Sequence, residues 1–442
     1  MTSEVAASSP LGSGRICCAD AGPIRTASVL PGVISTLRVH FSNIWRGPDA
    51  LPVSIPQRGR LAWAGKLSLL LLFGFLAACS GNKDNSEPPA ALTSIKNALP
   101  LDVNWVVDTR ASQTRAAFRL APLLVGDRAY TIDNSGLIRS IDLVKGSKLW
   151  RYRSGYEPIT GLGGNPQMLI VTSRDGELAA FREVDDSLEP LWSARMGSEV
   201  RATPVVDGDQ VFVRSVDGRL RSLSTADGSE QWLVSQRVPA LSLTGNSNPV
   251  VVDAMVIVGF DDGKLIAYDR NTGKTMWDTT VSVPRGRTEV ERLVDLDGNL
   301  VVRDGVIYAV SFQGHLAAIQ VINGDILWSR KFSSFQSIAI DDTALYLSAH
   351  NSDLWSVDRR TGSAFWKQDV LHARRITAPT LIGDKLVVSD FEGYLHWFAK
   401  ADGKLIGRIR STTERNYVQP QLWQESIVTH DRLGFLSSIA IY

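Results

Sequence analysis

The sequence predicts an all-β protein: an eight-bladed β-propeller with four-stranded antiparallel blades, its ring closed by an N-terminal strand that completes the last blade. Three observations predict it. A unit of roughly 40 residues recurs through the chain, as blades of such rings do. A tryptophan returns at positions 105, 150, 192, 232, 277, 328 and 366, at spacings of 45, 42, 40, 45, 51 and 38 residues. The final unit is one strand short, and a spare strand precedes the first.

The unit is plainest in PVVVDAMVIVGFDDGKLIAYDRNTGKTMWDTTV (249–281), PVVDGDQVFVRSVDGRLRSLSTADGSEQWLV (204–234) and PTLIGDKLVVSDFEGYLHWFAKADGKLIGRI (379–409). A proline opens a short apolar run and a polar turn follows. Then come a β-rich run, a turn ending in glycine, a third run, an Asp/Thr-Gly turn and a last run with an aromatic. Short apolar or alternating runs bounded by Gly and Asp turns read as strands. The last glycine precedes the tryptophan by four residues in Gly146/Trp150, Gly228/Trp232, Gly273/Trp277, Gly324/Trp328 and Gly362/Trp366. Two units depart from the rule. Gly403 is followed by Gly407, and the turn before Trp192 reads Asp185-Asp186-Ser187. These tryptophans, Trp105 included, are expected to be structural, each wedged against a neighbouring blade. Trp150, Trp192, Trp232, Trp277, Trp328, Trp366 and Gly407 mark seven blades. An eighth begins near Pro420 and ends after three strands at Tyr442. The segment LDVNWVVDT (101–109) is expected to supply its missing strand and remove the ring's open edge.

The N-terminal region is read separately. The apolar run Leu67–Ala78 has 12 residues, too few to span a bilayer but suited to the apolar region of a secretory signal. Arg58, Arg60 and Lys66 precede it, and Leu76-Ala77-Ala78-Cys79 ends it. That ending resembles the lipobox of bacterial lipoproteins. The resemblance implies cleavage before Cys79 and acylation of that cysteine; Ser80 after it implies the outer membrane. The expected organisation is residues 1–55 upstream of the true start, which lies nearer Val53 or Leu61; a lipoprotein signal over 56–78; a lipid-anchored flexible tether over 79–100; and the propeller over 101–442.

Composition excludes several functions. The net charge is +1, and residues 79–442 carry −3, so no basic surplus points to nucleic acid. Cys17, Cys18 and Cys79 are the only cysteines, so the body has neither a disulfide framework nor a cysteine-ligated metal site. His315, His350, His372, His396 and His430 form no close pair with metal-ligand spacing. GLGG (161–164) reads as a turn, and GRTEVERLVDLDG (286–298) does not match the calcium-loop spacing.

Asp-x-x-Thr-Gly-x-x-x-Trp, clearest at Asp269–Trp277, resembles the repeat of quinoprotein dehydrogenases. That resemblance implies a cysteine pair, a calcium and a catalytic aspartate; the body lacks the cysteine pair, and no enzymatic activity, cofactor or metal is expected. A quinoprotein-type dehydrogenase and a ligand-binding periplasmic propeller remain the alternatives. The second would use exposed aromatics, for which Trp355 and Trp397 stand off the repeat position.

The lipobox, the eight repeats and the size together resemble the BamB family, the lipoproteins of the outer-membrane protein assembly machine. PALSLTGNSNP (239–249), RTEVERLVDLD (287–297) and GYLHWFAKADGKL (393–405) are the further stretches that carry the likeness. The first two are consecutive connections between blades on one face, so Leu241 and Leu243 are expected to lie near Asp295 and Asp297, an apolar pair with an acidic rim. Connections longer than a blade requires are often functional. The resemblance implies a non-catalytic scaffold on the periplasmic face of the outer membrane, held by its lipid, binding the periplasmic domains of BamA and other components of that machine, and assisting unfolded outer-membrane proteins. The family's pattern, Leu-Ser-Leu-Arg-Gly with a later Asp-x-Asp, maps the contact onto Leu241, Leu243, Asp295 and Asp297. Thr244 stands where the family has arginine, and Arg292 is the nearby substitute for it.

Overall fold

A computed structural model describes residues 87–441, apart from 97, 110–119, 244–246, 413 and 417. Cys79 and the signal segment therefore lie outside the described residues. Eight four-stranded antiparallel sheets are built in sequence order over 123–153, 163–195, 205–235, 250–280, 301–332, 339–368, 380–410 and 421–441, here blades 1 to 8. Their strands are named a to d in the order in which the chain enters a blade. Strands a of adjacent blades lie against one another, as those starting at Gly163 and Val205 do.

Burial explains the strand sequences. Strand b is covered on both faces, so it reads as an unbroken apolar run, as in Met255–Gly259. Strand d is an edge with one core-facing position, which the tryptophan takes: in Thr275–Thr280 only Trp277 is buried.

The eighth blade closes as expected. Leu101–Asp108 pairs antiparallel with Phe435–Ile441, from Leu101 opposite Ile441 to Asp108 opposite Phe435, with a bulge between Val103 and Trp105. The first and last strands of the ring thus share one ladder.

The tryptophans join blade to blade by a repeated latch. The indole N–H of Trp232 donates to the Arg270 carbonyl in the c–d turn of the next blade (2.8 Å), and the ring lies on Gly273 of that turn. Trp277 does the same with Val321 (2.9 Å) and Gly324, Trp328 with Arg359 (3.0 Å) and Gly362, and Trp366 with Lys400 (2.9 Å) and Gly403. Trp192 meets Thr225 and Gly228, and Trp105 carries the latch across the closure to Leu143 and Gly146. The glycine four residues before a tryptophan therefore serves the preceding blade's tryptophan. It must be glycine twice over. At Gly324 φ is +77°, and a Cβ would sit 2.6 Å from the Trp277 ring.

Both exceptions follow from the latch. The c–d turn of blade 2 has no glycine; Asp185 and Asp186 take positive φ there, and Trp150 donates to the Glu183 carboxylate instead (2.6 Å). Glu183 is held in turn by Arg128 and Tyr130. Blade 8 has no c–d turn, because its strands c and d are the two ends of the chain. A tryptophan at position 407 would have no turn to receive it. Gly407 is there instead, and a Cβ on it would lie 3.1 Å from both Leu99 and Leu101.

The expectation of a flexible tether up to residue 100 is corrected over its described part. Two of those residues are bonded to the ring, Ala90 N–H to the His372 carbonyl of the connection between blades 6 and 7 (2.9 Å) and Leu99 N–H to the Ile406 carbonyl of blade 7 (2.7 Å).

The latch predicts a double-mutant result. Trp277→Ala is expected to cost about 3–5 kcal/mol, and Gly324→Ala roughly 1–3 kcal/mol from positive φ and the clash. With the indole gone its clash is gone, leaving only the one with the Thr279 hydroxyl (2.7 Å), so urea denaturation of the double variant should give a loss smaller than the sum. Strict additivity would show that the glycine answers only to its own backbone.

Candidate functional site

Blade 4 lies between two connections on the face of the b–c turns: 236–249, arriving from blade 3, and 281–300, leaving for blade 5. Gly259 in strand b of blade 4 lets both approach its backbone. A Cβ there would sit 2.8 Å from the Leu296 side chain and 3.1 Å from the Ser247 hydroxyl. Leu293, Val294, Leu296 and Leu300 are buried, so the second half of the longer connection is a plug of core residues on the blade. Leu296 N–H reaches the Phe260 carbonyl at 3.4 Å, and Phe312 N–H reaches the Asp295 carbonyl at 3.1 Å.

The first half stands out from the blade. Residues 283–292 are all exposed. Their shape comes from a local box in which the Glu291 carboxylate accepts the N–H groups of Arg287 (2.6 Å) and Thr288 (3.3 Å), while the Thr288 hydroxyl accepts the N–H of Glu291 (3.3 Å). Those two donors, Arg287 first, hold the Glu291 carboxyl below its ordinary pKa.

Asp295 joins the two connections. Its Oδ2 accepts the backbone N–H of Leu243 at 2.7 Å. The expected neighbourhood of the leucine and aspartate pairs is thus observed for Leu243 and Asp295. The expected acidic rim is not. Asp295 has no exposure to solvent and Asp297 is buried as well. The reason is the packing of Val294 and Leu296 on blade 4, which carries the residues between and beside them inward.

Beneath the loops lies a charged pair that sequence reading did not single out. Arg214 of blade 3 and Asp261 of blade 4 are both buried and meet at 2.6 Å, with the guanidinium 5.2 Å from the Phe260 ring centre. Burial pushes the Asp295 carboxyl up to about 7; the Leu243 N–H opposes this, Asp261 adds to it, and Arg214 opposes it. Asp295 Oδ1 has no hydrogen-bond partner among the described residues.

The exposed surface of the site is apolar, with arginines outnumbering the two glutamates Glu289 and Glu291. Leu241 is 42% exposed, Val283 56% and Val290 59%, and Arg237, Arg285, Arg287 and Arg292 are exposed beside them. Arg292 is 3.5 Å from Glu289 in its own loop. Thr244 lies outside the described residues. Arg292 was named from the sequence, but Val283, Val290, Arg285 and Arg287 were legible only as parts of an enlarged connection and Arg237 not at all, since nothing in their spacing distinguishes them from an ordinary turn. Asn248 and Asn299 continue the link around the ring: Asn248 accepts from Thr203 N–H (2.8 Å), and Asn299 accepts from Asn248 N–H (3.1 Å). Trp355 and Trp397 are not an exposed platform. Trp397 is fully buried, and Trp355 packs edge-on against Phe332 with Lys367 over its ring.

Comparison with known proteins agrees with this architecture. The family model described as outer membrane protein assembly factor BamB matches residues 134–368. A protein of that name from Bordetella pertussis is 32% identical over 378 residues, 85% of this chain and 96% of that protein. Another, from Alkalilimnicola ehrlichii, is 37% identical over 335 residues, 76% of this chain and 86% of that protein. Among solved structures, BamB from Moraxella catarrhalis shares the fold with a TM-score of 0.70 at 24% identity, over 77% of this chain and all of that one. A europium-containing methanol dehydrogenase shares it with a TM-score of 0.63 at 11% identity, over 77% of this chain and 93% of that one.

The buried carboxyl sets a pH signature. Folded Asp295 keeps its proton up to about pH 7, whereas the unfolded chain ionises it near the ordinary carboxylate value. The folded state binds more protons in that window, so this group's contribution to stability falls as pH rises through it. Asp295→Asn removes the dependence. Its urea midpoint relative to wild type should therefore rise between about pH 5 and about pH 8, and a pH-independent difference would contradict the assignment. Asp295→Ala should lose about 1–3 kcal/mol by leaving the Leu243 N–H without its acceptor.

Proposed function

The chain belongs to the family of the outer membrane protein assembly factor BamB, and from that premise we propose that it is a non-catalytic scaffold lipoprotein of the machinery that assembles outer-membrane β-barrels. In this reading Cys79 carries the lipid, and two or more acyl chains make the attachment stable. The ring then stands on the periplasmic face of the outer membrane and binds the periplasmic part of BamA, the barrel protein of that machinery.

One observation carries the proposed contact. Two consecutive connections are pinned into a single surface by the Leu243–Asp295 bond, and that surface offers exposed Leu241, Val283 and Val290 among exposed arginines. An apolar centre with a charged rim is the composition of a protein interface. Arginine is also the residue that most readily pairs with a partner's carboxylates. Asp295 serves this surface from below as a positioning residue. Asp297, buried beside it, belongs to the same support.

Unfolded outer-membrane strands are a second partner class in this reading. The residue before the blade tryptophan is an exposed hydrophobe in five outer strands: Leu149, Leu191, Met276, Leu327 and Phe365. An apolar residue on an edge strand suits strand addition.

Co-purification from mildly solubilised outer membranes tests the reading. Wild type should bring down a large barrel protein with periplasmic domains, Leu241→Glu should lose it at unchanged stability, and Asp295→Ala with Asp297→Ala should weaken it. Wild type recovered alone would sink the partner assignment. Cys79→Ser should move the protein from the membrane to the soluble periplasmic fraction. The strand-binding role fails if unfolded barrel protein titrated to micromolar levels gives no binding.

A further inference from the structure

The segment that leads from the ring to Cys79 is built into blades 6 and 7. Leu99 lies beside strand d of blade 7, its N–H on the Ile406 carbonyl (2.7 Å) and its side chain packed with the apolar cluster around Trp397. Thr93 is further along the same strand, its carbonyl accepting from Arg408 Nη1 (3.0 Å). Leu92 packs against the core cluster that contains Leu371, Ile376 and Phe398. Ala90 is bonded twice on the connection from blade 6 to blade 7: its N–H reaches the His372 carbonyl (2.9 Å), and its carbonyl accepts from Arg374 Nη1 (3.0 Å). Glu87 ends the path 3.1 Å from His372 Nε2.

The groups beneath are buried and need these bonds. Arg374 is held by fully buried Asp390 (2.7 Å) and by Glu392, and Asp390 also contacts fully buried His396 (2.9 Å). Arg408 Nε meets His396 Nδ1 at 3.2 Å. Ala90 and Thr93 supply carbonyls to the outward Nη1 atoms of both arginines. Removing Ala90 would leave the buried Arg374 guanidinium short of an acceptor, which is costly, whereas Arg408 is half-buried and its bond to Thr93 lies at the surface. Gly407 is the complementary adaptation, since a side chain there would strike Leu99 and Leu101.

The direction of the path has a consequence. Strand d of a blade runs from the c–d turn to the connection that leads to the next blade. Leu99 is at the start of that strand in blade 7, while Ala90 and Glu87 are at the 369–379 connection. The chain toward Cys79 therefore leaves from the face of the inter-blade connections, which is also the face of 236–249 and 281–300.

We infer that residues 87–99 are a fixed strap that closes the outer edge of blade 7 and makes the membrane anchor leave the ring from the same face as the candidate partner surface. The inference rests on the proposed lipidation of Cys79. Seven residues lie between Cys79 and Glu87, and the eight steps that join them span at most about 28 Å when extended. The anchored ring would thus keep its connection face near the bilayer, at blades 6 and 7. Strand addition at the rim would be confined to blades other than the seventh.

Two measurements on the mature lipoprotein in phospholipid vesicles test this. Amide exchange should show Ala90 and Leu99 N–H slowed about a hundredfold relative to an unstructured chain, and free-chain rates at both would overturn the strap. Thiol probes at exposed Asp369→Cys, on the connection face, and Asp402→Cys, in the opposite c–d turn, should then be quenched unequally by headgroup quenchers, Asp369→Cys more strongly. The strap variant Ala90→Pro with Leu92→Glu leaves the ring's own residues intact and should equalise the two. Equal quenching in the unaltered strap, on protein that floats with the vesicles, would overturn the orientation alone. Protein that fails to float would instead overturn the lipid anchor on which the inference rests.

Discussion

The indole-to-turn latch is the interaction on which the ring depends. Each blade is a twisted sheet with an apolar face that it cannot bury alone, and the neighbouring blade must be held at a repeatable distance. The tryptophan does this with a large apolar ring and one polar atom. The ring covers a glycine of the next blade, and the N–H satisfies a carbonyl of the same turn. Burial and hydrogen bonding are made together, which suits tryptophan among the aromatics. Because the glycine lies four residues before the next tryptophan, one short turn receives a latch and starts the strand that makes the following one. That coupling is why the repeat has such a constant spacing at this point and drifts elsewhere.

A ring closed by strands from the two chain ends cannot repeat the latch everywhere. The eighth blade has no c–d turn, so the seventh blade has nothing to latch onto and gives up its tryptophan. The space is used by Leu99 and Leu101 on the way into the closing strand. Fully buried Trp397, one strand further in, supplies part of the lost apolar area between blades 7 and 8. A missing residue in the repeat, an off-register tryptophan and an ordered leader segment are three aspects of one adjustment.

The candidate surface is built on the same economy of buried support and exposed contact. Blade 4 accepts both of its flanking connections directly on its backbone at Gly259, and the buried Asp295 carboxyl group ties one to the other. Acidic residues placed so deep influence a partner through the shape of the loop above them. The exposed groups include Leu241, two valines and four arginines, with Glu289 and Glu291 among them, and those meet whatever docks there. The chemistry is that of recognition: fixed backbone, apolar centre, charged rim.

Architecture was legible in the sequence because it is repeated. Strand order, blade number, the closing strand and the structural role of the tryptophans all follow from periodic positions, where the same physical demand recurs and leaves the same residue. Gly407 and Asp185-Asp186-Ser187 were legible as departures, though without their causes, since a latch partner lies a whole blade away. The pairing of Leu243 with Asp295 was legible as proximity, because consecutive connections share a face. Which of those side chains is exposed was not. Exposure at Asp295 depends on how Leu296 seats against Gly259 and Val294 against Gly263, in a blade strand and turn well back along the chain. Likewise a polar run after Cys79 reads as a free tether in sequence, and only Arg374 and Arg408, far along the chain, turn its second half into a strap. Local periodicity determines what each strand is; contacts between distant, non-repeated residues decide which face works and how it is held.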